Sequence, residues 1–206
     1  MKEFNFIDLF SGIGGFHQAM VNLGGKCVLA SEIDEYAIST YFENYNIDSA
    51  HDITLIDDKD VPKHDVLCGG FPCQAFSHAA HGKNIASKNL WLEMFRFVQE
   101  SDAPIVFGEN VTEVALNTAK SDLESVGYKV YRCRLSCGDI GADHRRDRFW
   151  LLAVKDNEKF QKLVEHDTAL PKLKANCWKA NPRNIDEGDY SERRKQLKAV
   201  GNAQSP

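Results

Sequence analysis

Short apolar runs alternate with segments of helical periodicity along the first two thirds of the chain. The apolar runs predict four buried strands, each bounded by Gly, Asp or Pro, at residues 4–10, 26–33, 65–68 and 104–107. Apolar positions three or four residues apart predict the helices between them, at residues 16–23, 36–45, 90–98 and 116–126. Strands separated by single helices need crossover connections, so the pattern predicts an α/β fold with a parallel, doubly wound sheet.

The pattern changes after Gly127. Residues 128–135 and 148–154 are predicted strands, and the polar loop between them is too short and glycine-rich for a crossover helix. They should pair as an antiparallel hairpin at one edge of a mostly parallel sheet that carries helices on both faces. Beyond Lys155 the apolar periodicity fades. We therefore expect a main domain over 1–154, a short polar segment over 155–192 and a C-terminal motif over 193–206.

Composition limits the classes of protein to which this chain can belong. Its 206 residues are 43% hydrophobic, as expected for one globular domain, and no apolar run is long enough to span a membrane. The start shows no signal peptide, and the six cysteines form no CxxC pair, so we expect a cytoplasmic protein with reduced thiols. The net charge of −5 argues against a protein that coats DNA through bulk positive charge.

A glycine-rich turn follows the first predicted strand, in the sequence DLFSGIGGF over residues 8–16. A dinucleotide fingerprint would need a third glycine where His17 stands, so a bound pyrophosphate is disfavoured. Glu32 comes near the end of the second strand, where a carboxylate can accept hydrogen bonds from both ribose hydroxyls. The pair favours a nucleoside without phosphates, such as S-adenosylmethionine, over an ordinary strand–helix turn followed by an exposed glutamate.

The third strand leads into the sequence CGGFPCQAFS, which contains two cysteines of different character. Cys68 lies in the apolar run and is most simply a buried, inert thiol. Cys73 follows a Gly-Gly turn and Pro72, which restricts the backbone on both sides and directs the thiol. A nucleophile needs an acid–base partner, and Glu109 with Asn110 ends the next strand. Residues 76–87, rich in Ser, His, Ala and Gly, have the composition of a mobile lid.

Two arginines precede the last strand. Arg146 and Arg148 should point to the same side, and Arg148 opens a strand that continues with apolar residues. A buried arginine there requires an acidic or anionic partner. A zinc site made of Cys133, Cys137 and His144 would lack a fourth ligand at a recognised spacing, so we expect no metal.

Six motifs now stand in order along the chain: DLFSGIGGF, SEID, GGFPCQAFS, ENV, HRRDR and GNAQSP. Together they resemble the DNA cytosine-5 methyltransferases, and FPCQAFS followed by ENV is the most specific pair. The resemblance implies a Rossmann-like, S-adenosylmethionine-dependent methyltransferase fold. It also implies double-stranded DNA as the substrate, DNA methylation of the restriction-modification kind, and a bacterial or phage-infected cell as the setting.

The resemblance also implies a mechanism in which a cytosine is flipped out of the duplex. Cys73 would attack C6, Glu109 would hydrogen-bond or protonate N3, and C5 would take the methyl group before the thiol is eliminated. Arg148, and less directly Arg146, would hold the cytosine oxygen and the active-site carboxylate, while Asn110 would brace the Cys73 loop. The catalytic residues implied are Cys73, Glu109, Arg148, Arg146, Asn110 and Pro72.

For the cofactor, the resemblance implies a pocket built by the glycine turn and the strand ends beside it. Glu32 would bind the ribose, Ile33 would pack on the adenine and Asp52 would accept a hydrogen bond from its amino group. The cofactor-binding residues implied are Phe10, Ser11, Gly12, Ile13, Gly14, Gly15, Glu32, Ile33, Asp52, Ile53, Pro72, Leu90 and Asn202.

The sequence departs from the family pattern in two places. His144 stands where the family usually has glutamine, which is a tolerable change. Family members also carry a long target-recognition region where this chain has only residues 155–192. The alternatives left open are a minimal enzyme, a core whose recognition part lies on a separate chain, and a remnant that binds cofactor or DNA without turnover. Methylation of RNA cytosine is disfavoured because FPCQAFS matches the DNA enzymes better.

Overall fold

The computed structural model describes residues 3–72, 90–142 and 144–165 of the chain. Within these residues six strands form one sheet: β1 (Phe4–Leu9), β2 (Gly25–Ser31), β3 (Val66–Gly70), β4 (Ile105–Asn110), β5 (Lys129–Ser136) and β6 (Asp147–Val154). The strand order is β2-β1-β3-β4-β6-β5. The first four strands run parallel, whereas β6 is antiparallel to both of its neighbours. This confirms the predicted fold class, a mostly parallel sheet with an antiparallel hairpin at one edge.

Five α-helices accompany the strands in the described residues: α1 (Gly15–Asn22), α2 (Glu35–Tyr45), α3 (Leu90–Ser101), α4 (Glu113–Ser125) and α5 (Asn157–Glu165). The caps explain several of the ends. Asp34 accepts a hydrogen bond from the backbone N–H of Ala37 at the start of α2, and Thr112 does the same for α4. The chain after α1 turns through Gly24, at φ 89°, which confirms the predicted glycine stop.

The core lies on both faces of the sheet, because alternate residues of each strand point to opposite sides. Ile7 and Leu9 of β1 belong to the larger cluster, which includes Met94 and Phe97 of α3 and Leu116 of α4. Phe6 belongs to the smaller cluster with residues of α1 and with Cys68 of β3. Helices therefore cover both faces, as the alternating pattern of the sequence predicts.

The last helix, α5, differs from the prediction. Sequence analysis found no apolar periodicity beyond Lys155, yet Phe160, Leu163 and Val164 recur at helical spacing within a nine-residue helix. The charged residues around this short apolar stripe, including Lys159 and Lys162, lower the average hydrophobicity of the segment, so the stripe gives a weak signal in the sequence. None of the helices in the described residues combines the length and the apolar character that a membrane crossing requires.

Candidate active site

The polar residues singled out in the sequence collect at one edge of the sheet. Because β1 to β4 are parallel, the segments that follow them all leave the sheet at its carboxyl edge. The antiparallel β6 starts at that same edge, where Asn110 of β4 lies opposite Phe149. The hairpin thus brings Arg148 to the edge that carries the glycine turn, Pro72 and Glu109.

The glycine turn after β1 has an unusual backbone. Phe10, Gly12 and Gly14 all have positive φ angles, of 53°, 53° and 96°, and positive φ is costly for a bulky residue such as phenylalanine. The Ser11 backbone N–H donates to the Ser31 carbonyl oxygen at 2.9 Å, which fixes the turn to the end of β2. The Ser11 hydroxyl is buried and has no hydrogen-bond partner among the described residues. A buried, unsatisfied hydroxyl in a strained turn is a feature that a polar ligand would explain.

Glu32 does more in the structure than sequence analysis expected. Its carboxylate accepts hydrogen bonds from the backbone N–H groups of Gly12 at 2.8 Å, Ile33 at 2.8 Å and Asp34 at 3.0 Å. One side chain therefore joins the glycine turn to the segment after β2. A carboxylate has about four lone-pair positions, so the capacity to accept a further hydrogen bond remains. Spacing along the chain could not reveal this bridge, because it depends on the contact between two loops.

The other residues implied for the cofactor are only partly brought together. Ile33, beside Glu32, is 67% exposed, which leaves its side chain free to pack on a ligand. Asp52 caps a short 3-10 helix through Thr54, with the backbone N–H at 2.9 Å and the hydroxyl at 2.8 Å. Ile53 is buried in the larger core cluster, and half-buried Leu90 opens α3.

Glu109 and Arg148 form a buried ion pair at the end of β4. The distance between Arg148 Nε and Glu109 Oε1 is 2.8 Å, and the Glu109 side chain is 8% exposed. The Arg148 guanidinium also donates to the Asp147 carbonyl oxygen at 2.7 Å. An arginine at this position needs an acidic partner, and the adjacent strand end supplies it. The pair orients a carboxyl group and a guanidinium toward the same small volume.

Asn110 links β4 to the segment that leads to Cys73. Its side-chain amide donates to the Phe71 carbonyl oxygen at 2.9 Å, and its amide oxygen accepts from the Thr112 backbone N–H at 3.0 Å. Asn110 is 1% exposed, so both contacts are shielded from water. The contact fixes the backbone immediately before Pro72. Cys73 itself, Asn202 and residues 76–87 lie outside the described residues.

A cavity of about 630 Å³ opens beside the ion pair, on the face of the sheet that carries α1 and α5. Glu109, Arg146 and Arg148 line it, together with aromatic residues such as Phe16 and Trp150. Burial and the neighbouring Arg148 guanidinium lower the pKa of Arg146. Both arginines therefore face one space, as the alternation along the strand predicts.

The thiols behave according to their surroundings. Cys68 is fully buried, its thiol donates to the Ile7 carbonyl oxygen at 3.2 Å, and burial raises its pKa. That places Cys68 in the core, as predicted. In the described part of the chain, no group of three His, Cys, Asp or Glu side chains is arranged to hold a metal ion, and Cys133, Cys137 and His144 form no such group.

One buried acid escaped the sequence analysis. Asp8 lies in the middle of an apolar strand and is fully buried, and burial raises its pKa well above the usual value. The Tyr41 hydroxyl of α2 and the Cys68 thiol of β3 donate to its carboxylate, which also accepts a hydrogen bond from the backbone of His17 in α1. The signal that would have found it is in the sequence FNFIDLF, where one carboxylate interrupts an otherwise apolar run.

Comparison with known proteins gives a family for this arrangement. The model of the family described as "C-5 cytosine-specific DNA methylase" matches residues 4–202. The chain is 40% identical over 162 residues to the type II methyltransferase M.MspI of Moraxella sp. The aligned region covers 74% of this chain and 39% of the relative. It is 34% identical over 165 residues to M.HhaI of Haemophilus parahaemolyticus, covering 76% and 50%.

A solved structure of the Entamoeba histolytica methyltransferase EhMeth superposes with a TM-score of 0.68 at 19% identity. The match covers 84% of this chain and 58% of that one. At this identity the likeness establishes the shared fold. The chain spans half or less of the length of the two curated relatives described above.

Proposed function

Because the chain belongs to the family of C-5 cytosine-specific DNA methylases, we propose that it is the catalytic core of a DNA (cytosine-5-)-methyltransferase. The reaction transfers a methyl group from S-adenosylmethionine to C5 of a cytosine flipped out of double-stranded DNA. The observation that carries this proposal is the buried pair of Glu109 and Arg148, next to the Asn110 brace of the segment leading to Cys73. This chemistry requires an acid, a guanidinium and a thiol; the first two lie at this strand edge, and Cys73 follows Pro72 in the sequence.

The residues divide the work on the cytosine ring. The Cys73 thiolate forms a bond to C6, and Glu109 donates a hydrogen bond or a proton to N3 so that the negative charge leaves the ring. Arg148 holds Glu109 in place and offers its remaining N–H groups to the cytosine oxygen. After C5 is methylated, a base removes its proton, the C6–S bond breaks and Cys73 leaves as the thiolate, while any proton that N3 received returns to Glu109.

The glycine turn suits S-adenosylmethionine, which would supply an electrophilic methyl group. In the described part of the chain the buried Ser11 hydroxyl has no hydrogen-bond partner, and Glu32 retains capacity to accept from a ribose hydroxyl after its three backbone contacts. Exposed Ile33 offers an apolar surface to the adenine. The Ser31 hydroxyl at the end of β2 donates to the carbonyl oxygen of His51, and this bond holds the neighbouring Asp52 at the same edge of the sheet. The donor set is neutral or acidic, as a positively charged sulfonium compound prefers.

A second candidate function follows from residues 155–192, the short segment between the HRRDR and GNAQSP motifs, where members of the family carry a long target-recognition region. Under this second candidate function, we propose that the chain is a core that binds the cofactor and methylates DNA only together with a separate target-recognition chain. The proposed layout assigns 1–154 to catalysis, 155–192 to the region where relatives of this family recognise their target, and 193–206 to a motif that returns to the catalytic domain. The proposed setting is the cytoplasm of a bacterial or phage-infected cell, in a restriction-modification system.

Covalent trapping tests the proposed function. The 206-residue chain, S-adenosylmethionine and mixed-sequence duplex DNA containing 5-fluorocytosine should give a protein–DNA band that survives a denaturing gel. A base can remove hydrogen from C5 as a proton, but it cannot remove fluorine in this way. The elimination that breaks the C6–S bond is therefore blocked, and the covalent adduct persists. Sequencing the trapped DNA would identify the target. The same DNA without fluorine serves as the control and should give no stable band.

A negative trapping result remains informative. If no band forms while S-adenosylmethionine still binds, the chain is not active alone and the second candidate function is favoured. If S-adenosylmethionine does not bind either, the methyltransferase proposal is contradicted for this chain.

Replacing Glu32 tests the cofactor site. We expect Glu32→Ala to weaken binding of S-adenosylmethionine by at least about tenfold, because hydrogen bonds to a charged group contribute roughly 1.5–3 kcal/mol. The loss combines the ribose contact with release of the glycine turn from Gly12. Isothermal titration calorimetry measures the dissociation constant. Glu35→Ala, at an exposed position in the first turn of α2, removes the same charge nearby and should change it less than twofold. An unchanged constant in Glu32→Ala would refute the assigned role.

A further inference from the structure

Three aromatic rings from α1 and α2 pack together beneath the glycine turn. The His17 ring stacks on Tyr45 with centroids 3.9 Å apart and an angle of 22° between the planes. Tyr41 packs edge-on against both rings, at 5.2 Å from His17 and 5.0 Å from Tyr45. Burial lowers the pKa of His17 to about 4, so its ring stacks in the neutral form near pH 7.

Hydrogen bonds continue this cluster to the first strand. The His17 Nδ1 and Tyr41 Oη atoms are 2.6 Å apart, and the Tyr41 hydroxyl donates to Asp8 Oδ2 at 3.5 Å. The three rings therefore connect β1, α1 and α2, the elements around the turn. Of this cluster, Tyr45 is the member that reaches the turn itself.

Tyr45 touches the turn at Gly14. Its hydroxyl donates to the Gly14 carbonyl oxygen at 3.0 Å, and its ring fills the space where a side chain at Gly14 would stand. Gly14 has φ 96°, so its peptide orientation is one that only glycine adopts readily. The ring and the hydroxyl together restrict the position of this peptide.

The contact is not needed to form α1. The Gly14 carbonyl oxygen already accepts the first bond of the helix, from the Gln18 N–H at 3.0 Å, and Tyr45 is only partly buried. The Gly14 N–H in turn donates to the Ser11 carbonyl oxygen at 2.9 Å. A contact that holds Gly14 therefore also holds Ser11, whose buried hydroxyl has no hydrogen-bond partner within residues 3–72, 90–142 and 144–165.

We propose that Tyr45 is a positioning residue for the cofactor, which holds the Ser11–Gly14 peptides in the orientation that binds S-adenosylmethionine. The inference rests on the proposed function for the identity of the ligand. Tyr45 acts through the Gly14 carbonyl oxygen and does not contact the cofactor. It sets cofactor affinity by keeping the turn ordered before binding, so the conformational cost of binding is reduced.

The chain offers a matched control for this proposal. Tyr128 also donates its hydroxyl to a backbone carbonyl oxygen, that of Ala103 at 2.6 Å, on the opposite face of the sheet. Tyr45→Phe and Tyr128→Phe therefore remove the same type of hydrogen bond and keep the ring. If the loss of such a bond acted only through stability, Tyr128→Phe would have at least as large an effect.

The test measures binding of S-adenosylhomocysteine to the full chain by calorimetry, which requires no turnover. We expect Tyr45→Phe to raise the dissociation constant about three- to tenfold, as the loss of one neutral hydrogen bond predicts, and Tyr128→Phe to change it less than twofold. Tyr45→Leu, which also removes the stacked ring, should raise it further. With DNA methylation as the readout, Tyr45→Phe should raise the KM for S-adenosylmethionine and leave kcat unchanged.

Each other outcome contradicts the inference in a distinguishable way. An unchanged dissociation constant in Tyr45→Phe overturns the positioning role. If Tyr45→Phe and Tyr128→Phe weaken binding of S-adenosylhomocysteine equally, the effect arises from a general loss of protein stability, and the positioning role is again overturned. If the unmodified chain does not bind S-adenosylhomocysteine, the cofactor assignment fails first and the inference falls with it.

Discussion

Replacing Cys73 with serine should lower methyl transfer by at least about a thousandfold, the scale on which loss of a catalytic nucleophile acts in other enzymes. A serine hydroxyl is far less acidic than a thiol and forms little anion without a strong base, so attack on C6 stops. Binding of S-adenosylmethionine should stay nearly unchanged, because the substitution removes the nucleophile and leaves the glycine turn intact. Transfer of a labelled methyl group to duplex DNA measures the first quantity, and calorimetry measures the second.

Cys68→Ser is the matched control for that prediction. Cys68 lies five residues before Cys73, is fully buried, and donates its thiol proton to the Ile7 carbonyl oxygen, a bond that serine can also make. We expect turnover within about twofold of the unmodified chain, since this thiol has no part in the chemistry. Unaltered turnover in Cys73→Ser, or loss of turnover in Cys68→Ser alone, would contradict the assignment of the nucleophile.

Replacing Arg148 with methionine should cost both stability and activity. The substitution removes the guanidinium from a carboxylate whose side chain is 8% exposed, and breaking a buried ion pair from one side costs about 3–5 kcal/mol. Urea unfolding measures the loss of stability, and methyl transfer should fall by at least about a hundredfold because the substitution removes the donor proposed for the cytosine oxygen. Arg148→Lys keeps the charge but not the planar fork, so it should fold and still lose activity.

Two further variants separate the two effects of Arg148. Combining Arg148→Met with Glu109→Gln removes the uncompensated charge, so stability should recover in part while activity stays low. Arg145→Met removes an exposed ion pair with Asp147 in the same loop and should change stability by less than about 1 kcal/mol. If Arg148→Met is as stable as Arg145→Met, the pair with Glu109 does not stabilise the fold.

Features that depend on local periodicity could be predicted from the sequence. The four parallel strands and the hairpin were predicted from runs of apolar residues and the glycines between them, and the structure confirms them with small shifts of their ends. β3 and β4 extend two or three residues further than predicted, to Gly70 and Asn110, because pairing with a neighbour continues the ladder into less apolar sequence. α5 was missed since three apolar residues in a charged segment give a weak signal.

Features that depend on contacts between distant segments could not be predicted in the same way. The buried position of Arg148 implied an acidic partner, but only the strand order brings Glu109 to it. Likewise, the position of Glu32 suggested a ribose contact, while its three bonds to backbone N–H groups depend on how two loops meet. Asp8 was overlooked because the pattern of a strand predicts the face on which a side chain lies, but not which polar groups of other segments will form hydrogen bonds with it there.

The position of β6 between β4 and β5 also constrains how the molecule folds. β5 emerges from the ribosome before β6, yet it cannot join the edge of the sheet until β6 has been inserted beside β4. β5 therefore takes its place in the sheet together with β6 or after it. Glu109 acquires Arg148 only when β6 docks. Placing β6 beside β4 and assembling the charged pair are thus one step, and a chain in which β6 has not docked leaves Glu109 without Arg148.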